Sequence, residues 1–334
     1  MILATRIWTG ESKLSQYDSA LWSVGIGLAK IQGDRQAILE RFLSAYSSLQ
    51  RYNSSIWNKL MAAEIMAATN SEFMTLSAFL TDLEQRLRTE AHVPQEQSVG
   101  IAATLLYGSA SNNATTFSRF IDFSTLTESQ EAAAILAITN GDTQELTSKF
   151  HSYKDMFNDW GYSTSDDTDL AASYLSISPL VAEDVNTRMN AIVDALRSDL
   201  AYPLVAAAIL TSMSSLSPAE AIDLMEKGVA ILQSHTSYLG RSELVSLAVR
   251  MVHGVNNELA RQLDPNAKIS NTPVQFTHAP QTAQSLYGPY YGGGFYPVFW
   301  WYYPLIISHF TYHNTYNTGA GTHEAHSHGV GGFA

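Results

Sequence analysis

Apolar positions recur at i, i+3, i+4 and i+7 along the chain up to about residue 268. In "EFMTLSAFLTDLEQRLRTE" the stripe is Phe73, Leu76, Leu80, Leu83 and Leu87, the one-sided pattern of an amphipathic helix. No stretch before residue 268 alternates with period two and β-branched enrichment, so the pattern predicts an all-α body without a sheet.

Between the amphipathic stretches a second pattern repeats: two small residues, a spacer and two large apolar residues. It occurs as "AAEIM" at Ala62, "AATLL" at Ala102, "AAAIL" at Ala132, "AASYL" at Ala171 and "AAAIL" at Ala206, with a degenerate sixth copy, "LVSLA", at Leu244. The steps are 40, 30, 39, 35 and 38 residues, the length of two helices and two turns, which is the period of an α-solenoid. Small residues let neighbouring helices approach closely while the large pair fills the gap between layers. On this reading each motif is followed by a second, more polar helix. The alternative is chance likeness among Ala-rich helices packed irregularly; five copies in one order at similar spacing favour the repeat.

Helix-start signals are placed independently of the repeat. Ser217-Pro218-Ala219-Glu220 is a capping box with Pro at the first helical position, Ser178-Pro179 repeats the Ser-Pro start, and Thr127 to Gln130 reads as another box. "SALWSVGIGLAK" and "DRQAILERFLSAYSSLQ" read as an N-terminal pair, for about six or seven helix pairs in all.

At "FNDWGYSTSDDTDLAASYLSISPL", residues Phe157 to Leu180, an aromatic-Gly turn, a Ser/Thr/Asp run and a small-small-x-large-large helix follow one another. This stretch resembles an uncharacterised bacterial all-helical family of similar length, a domain of unknown function. The resemblance is limited to the middle of the chain and implies helical repeats without an activity.

Charge changes the picture at one place. Nineteen Lys and Arg against thirty-one Asp and Glu give a net charge of −12, a field that repels nucleic acid and anionic headgroups. Every basic residue and all but one acidic residue lie at or before Lys268; from Ile269 to Ala334 the only charged side chain is Glu324. The expectation is therefore a helical-repeat domain over 1–268 and an extended, charge-depleted, aromatic and Gly/His-rich segment over 269–334.

Candidate chemistry is sparse. With no Cys, disulfides, thiolate metal sites and cysteine nucleophiles are excluded. The N-terminus "MILATRIWTGESK" lacks the basic start and apolar core of a signal peptide, which makes cytoplasm the expected location. "GIGLAK", Gly25 to Lys30, lacks the third Gly and the preceding strand of a phosphate loop and reads as close helix contact. The acidic cluster Asp159, Asp166, Asp167 and Asp169 lacks the EF-hand ligand spacing and reads as a loop whose Asp or Thr caps a helix beginning near Asp169. No "GxSxG", "HExxH" or Walker motif occurs, and the chain reads as a non-enzyme.

Two features of the C-terminal segment carry binding chemistry. His323, Glu324, His326 and His328 form "HEAHSH", a donor set suited to weak zinc, nickel or copper binding, without the rigid surroundings of a catalytic site. The run "FYPVFWWYYPLIISHF" is too short and too proline-broken for a straight spanning helix. Phe295, Phe299, Trp300, Trp301, Tyr302 and Tyr303 are its anchors. Aromatics bury roughly 150–250 Å² each with few rotors to freeze, so they suit docking on a protein groove. The expected partner is a protein, including a second copy of this chain in a homo-oligomer or filament. Shallow peripheral membrane insertion is the second reading, weakened by the lack of Lys or Arg in this segment.

Overall fold

A computed structural model describes residues 18–252 apart from 31–33, 69–72, 109–112, 140–141, 163–165, 179, 181, 214–215 and 237–238. Among the described residues there are thirteen helices and no strand. In chain order these are α1 (Asp18–Lys30), α2 (Arg35–Leu49), α3 (Ile56–Ala68), α4 (Phe73–Thr89), α5 (Gln95–Gly108), α6 (Asn113–Ser124) and α7 (Gln130–Ile138). They continue as α8 (Thr143–Asp159), α9 (Asp166–Ser176), α10 (Ala182–Leu196), α11 (Leu204–Thr211), α12 (Pro218–His235) and α13 (Arg241–Val252).

The helices fall into two compact units, one holding α2–α9 and the other α1 with α10–α13. The expected boundary at residue 268 lies outside the described residues.

Two kinds of helix alternate in both units. The six motif copies fall in α3, α5, α7, α9, α11 and α13, which are buried nearly all round: every residue from Leu204 to Thr211 of α11, for instance, is buried. A helix apolar on every side gains from burial on every side. Some of the hydroxyls these helices carry are satisfied on their own backbones: Thr104 donates to the Gly100 carbonyl (3.0 Å) and Ser176 to that of Ala172 (2.7 Å), satisfying groups that would otherwise be costly in a core. The helices between them bury one stripe, as α8 does with Leu146, Phe150, Tyr153 and Phe157.

In the first unit the motif helices pack on one another in chain order, α3 on α5, α5 on α7 and α7 on α9. Amphipathic helices back them: α2 on α3, α4 on α5, α6 on α7 and α8 on α9. The second unit repeats the scheme, with α11 on α13, backed by α10 on α11 and α12 on α13. The expected pairing is thus corrected by one helix, because each amphipathic stripe is laid on the motif helix that follows it. Within its unit α2 packs on α3.

Local signals set most helix ends. At α12 the Ser217 hydroxyl accepts from the Glu220 N–H (3.3 Å) while the Glu220 carboxylate accepts from the Ser217 N–H (2.7 Å), with Pro218 opening the helix. At the end of α8, Gly161 takes φ +83°. Its N–H bonds the Asn158 carbonyl (2.9 Å) and that of Tyr162 the Phe157 carbonyl (2.9 Å), the double closure for which a left-handed glycine is suited. The second expected capping box shifts: α7 is capped by Ser129, whose hydroxyl accepts from the Ala132 N–H (3.2 Å), since the Thr127 hydroxyl is engaged elsewhere. Ser178-Pro179 precedes α10 by a few residues, the helix starting at Ala182.

Close approach is required at Gly100, two residues before its motif. A Cβ there would sit 2.2 Å from Asn58 Oδ1 and 2.3 Å from Met61 Cε on α3. Asn58 is fully buried and its Nδ2 donates to Ser55 Oγ (2.9 Å), so it has little freedom to swing aside. Gly100→Ala is expected to cost about 1–3 kcal/mol, read as a lower urea midpoint at unchanged m value. At Gly25, in contrast, an added Cβ would meet nothing within 4 Å among the described residues, although "GIGLAK" is helical.

Candidate functional site

The aromatic residues Phe295, Phe299, Trp300, Trp301, Tyr302 and Tyr303 and the metal-donor set His323, Glu324, His326 and His328 lie outside the described residues. Within the described residues the densest polar chemistry is where the α6–α7 turn, α8 and the start of α9 meet.

The sequence "DDTDLAASYL" opens α9 with three carboxylates in its first turn, favourable beside the positive end of a helix dipole. The helix is described from Asp166, slightly ahead of the expected start near Asp169, and residues 163–165 just before it lie outside the described residues. Asp169 is instead fully buried and reaches out of its own helix pair. Its Oδ2 accepts from the Thr127 hydroxyl (2.5 Å) and the Glu128 N–H (2.7 Å). Its Oδ1 is paired with the Lys154 ammonium of α8 at 2.6 Å. The Thr127 oxygen in turn accepts from the Ser129 N–H (3.0 Å), so one carboxylate fastens the turn that starts α7 and the helix that precedes α9. Lys154 is 15% exposed and stands 5.4 Å from the centre of the Phe150 ring, so its charge is sheltered and answered by Asp169 and by the ring face.

Next to this hub the Ser129 hydroxyl donates to Glu131 Oε2 (3.3 Å). Burial pushes the Glu131 carboxyl up to about 7, helped by the charge of Asp166, while its own backbone N–H and Ser129 pull the other way. Burial also raises the Asp166 carboxyl, with the charges of Asp169 and Glu128 adding to it, and burial raises the Tyr153 phenol. Asp167 is buried beside them, and Asp159, the last residue of α8, is exposed. Among the described residues no group of three or more His, Cys, Asp or Glu is placed to hold a metal ion. With both Asp169 oxygens engaged, this cluster joins helices.

Two arginines that the sequence reading passed over do equivalent work in separate pairs. Arg119 of α6 donates to the carbonyls of Thr139 (2.7 Å) and Leu136 (3.4 Å), at the end of α7. Arg188 of α10 donates to those of Thr211 (3.3 Å), Met213 (3.1 Å) and Leu216 (2.6 Å), at and beyond the end of α11. Each supplies donors and positive charge where a helix leaves carbonyls unsatisfied. In both cases the arginine directly precedes a buried apolar residue, Phe120 and Met189.

Among the described residues no helix is long and apolar enough to cross a membrane. No protein-family model, curated protein or solved structure matches this chain.

Proposed function

We propose that this chain is a non-enzymatic binding or scaffold protein, an α-solenoid over 1–268 whose C-terminal aromatic segment mediates self-association or docking on a partner protein. The observation that carries the reading is the chain-order packing of the motif helices, α3 on α5 on α7 on α9, each backed by one amphipathic helix. Repeats of this kind make extended surfaces from nearest-neighbour contacts and are used for holding partners.

The aromatic anchors supply the second half of the argument. A run holding Phe299, Trp300, Trp301, Tyr302 and Tyr303 with no charge from Ile269 to His323 is an apolar surface that gains by being covered. The occupant we favour is protein, because lipid anchoring of an acidic chain draws on Lys or Arg that this segment lacks.

Truncation after Lys268 tests this. The truncated chain is expected to keep its helical circular dichroism and to form particles with fewer subunits than the full chain. The same number of subunits per particle for both would overturn self-association. Flotation of the full chain, but not the truncated one, with neutral phosphatidylcholine vesicles would transfer the anchors' role to a lipid surface.

A further inference from the structure

We propose that the partner of the aromatic segment is the same segment of a second copy of this chain, joined through residues 298–303 as paired β-strands, and not the helical body of that copy. The inference rests on the self-association reading above and names what the segment binds and how.

The six residues 298–303, "VFWWYY", lie between Pro297 and Pro304 and hold no Gly, no Pro and no charge. Aromatic and β-branched residues favour a pleated, half-buried strand. An uncharged run of about six or seven such residues without Pro is the composition that pairs with copies of itself. A helix is a poor alternative. Pro304 turns Tyr303 away from the α region, and a helix opening at Pro297 would have less than about two turns, too few to stand by itself. In a strand, Val298, Trp300 and Tyr302 share one face and Phe299, Trp301 and Tyr303 the other, so both faces are apolar.

Such a strand makes two demands: partners for its N–H and C=O groups, and cover for its rings. The described part of the body meets neither. Among the described residues there are thirteen helices and no strand, hence no sheet edge there to which a strand could be added. Among the same residues the exposed large apolar side chains are Phe79 (52%) on α4 and Tyr202 (37%) ahead of α11. Phe79 is followed on its helix by exposed Thr81, Asp82 and Gln85, and Thr81 is bonded to Tyr52 and Arg51. Trp300, Trp301, Tyr302 and Tyr303 together bring on the order of 600–1,000 Å² to be covered, far more than one exposed ring set among polar neighbours can take up. An identical segment answers both demands at once, with an unpaired edge and a matching set of rings.

Charge acts in the same direction. The chain carries −12 overall, and its charged residues other than Glu324 lie at or before Lys268. The segment, uncharged over 269–323, has no cation with which to engage an acidic body. Two such segments meet without like charges set opposite each other.

Native mass spectrometry of the full chain mixed with the chain truncated after Lys268 reads the partner. Particles are expected to hold full-length copies only. Entry of truncated chains would show that a helical body receives the segment, which overturns the inference and leaves self-association standing. The same number of subunits for the full and the truncated chain would remove self-association and the inference with it. Two substitutions of similar size then test the strand pairing. Phe299→Val keeps an apolar, strand-favouring residue with its N–H and should retain most of the assembly. Phe299→Pro lacks the N–H and should bring the subunit number down to that of the truncated chain. Unchanged helical circular dichroism in both variants excludes a failure to fold. Equal assembly in F299P and F299V, or equal loss in both, would overturn the strand-paired mode.

Discussion

Asp169→Ala is expected to destabilise the α2–α9 unit by about 3–5 kcal/mol, the range for breaking a buried pair by removing one partner. The cost arises from what is left behind. The Lys154 ammonium, 15% exposed, would face the emptied site without its carboxylate, and the Thr127 hydroxyl and Glu128 N–H would lose their acceptor. Lys154→Met alone is expected to be damaging for the mirror-image reason, as it leaves the Asp169 charge buried. The double variant removes both charges and should be more stable than the sum of the two losses implies. Urea unfolding of the four proteins measures the coupling. If the two losses simply add, Asp169 and Lys154 do not act as a pair.

Arg188→Ala should cost about 2–3 kcal/mol, in the range of a hydrogen bond to a charged group with some desolvated acceptors left unmet. Its guanidinium collects the carbonyls of Thr211, Met213 and Leu216, so it ties α10 to the end of α11 and to the segment that leads into the Ser217 cap. Burial lowers the affinity of this guanidinium for its proton, with Asp184 opposing the effect; the carbonyls are the partners that make its position favourable. Arg188→Lys is the informative control. An ammonium is a compact charge without the planar fork that reaches three separate oxygens, so Lys should recover part of the loss. Full recovery by Lys would show that positive charge alone matters, and no loss with Ala would remove the capping role. Protection of the amides following α11 should fall in R188A while that in α2–α9 is unchanged.

Much of the helical plan was legible along the chain because it is encoded locally. The stripe at Leu80, Leu83 and Leu87 is buried as its spacing implies, and the small-small-x-large-large motif coincides with the helices buried nearly all round. The Ser217 box and the Trp160-Gly161 stop depend on contacts within a few residues, and both are realised. The pair register was misread by one helix. Periodicity says which face of a helix is apolar but not which neighbour receives it, and an all-round apolar helix offers no preferred side. The local spacing of Thr127 is that of a cap, and local spacing does not reveal a carboxylate forty-two residues further along that takes its hydroxyl.

The division has a physical basis. Helix type, helix ends and the alternation of one-sided with all-round apolar helices follow from hydrogen bonds and side-chain spacing within one or two turns, which the order of residues alone determines. The Asp169 hub and the arginines on distant carbonyls depend on how one helix is registered against the next. That register is chosen by the packing of whole surfaces, such as the contact at Gly100 that brings α3 and α5 within reach of each other. Only the tertiary structure brings those charges together.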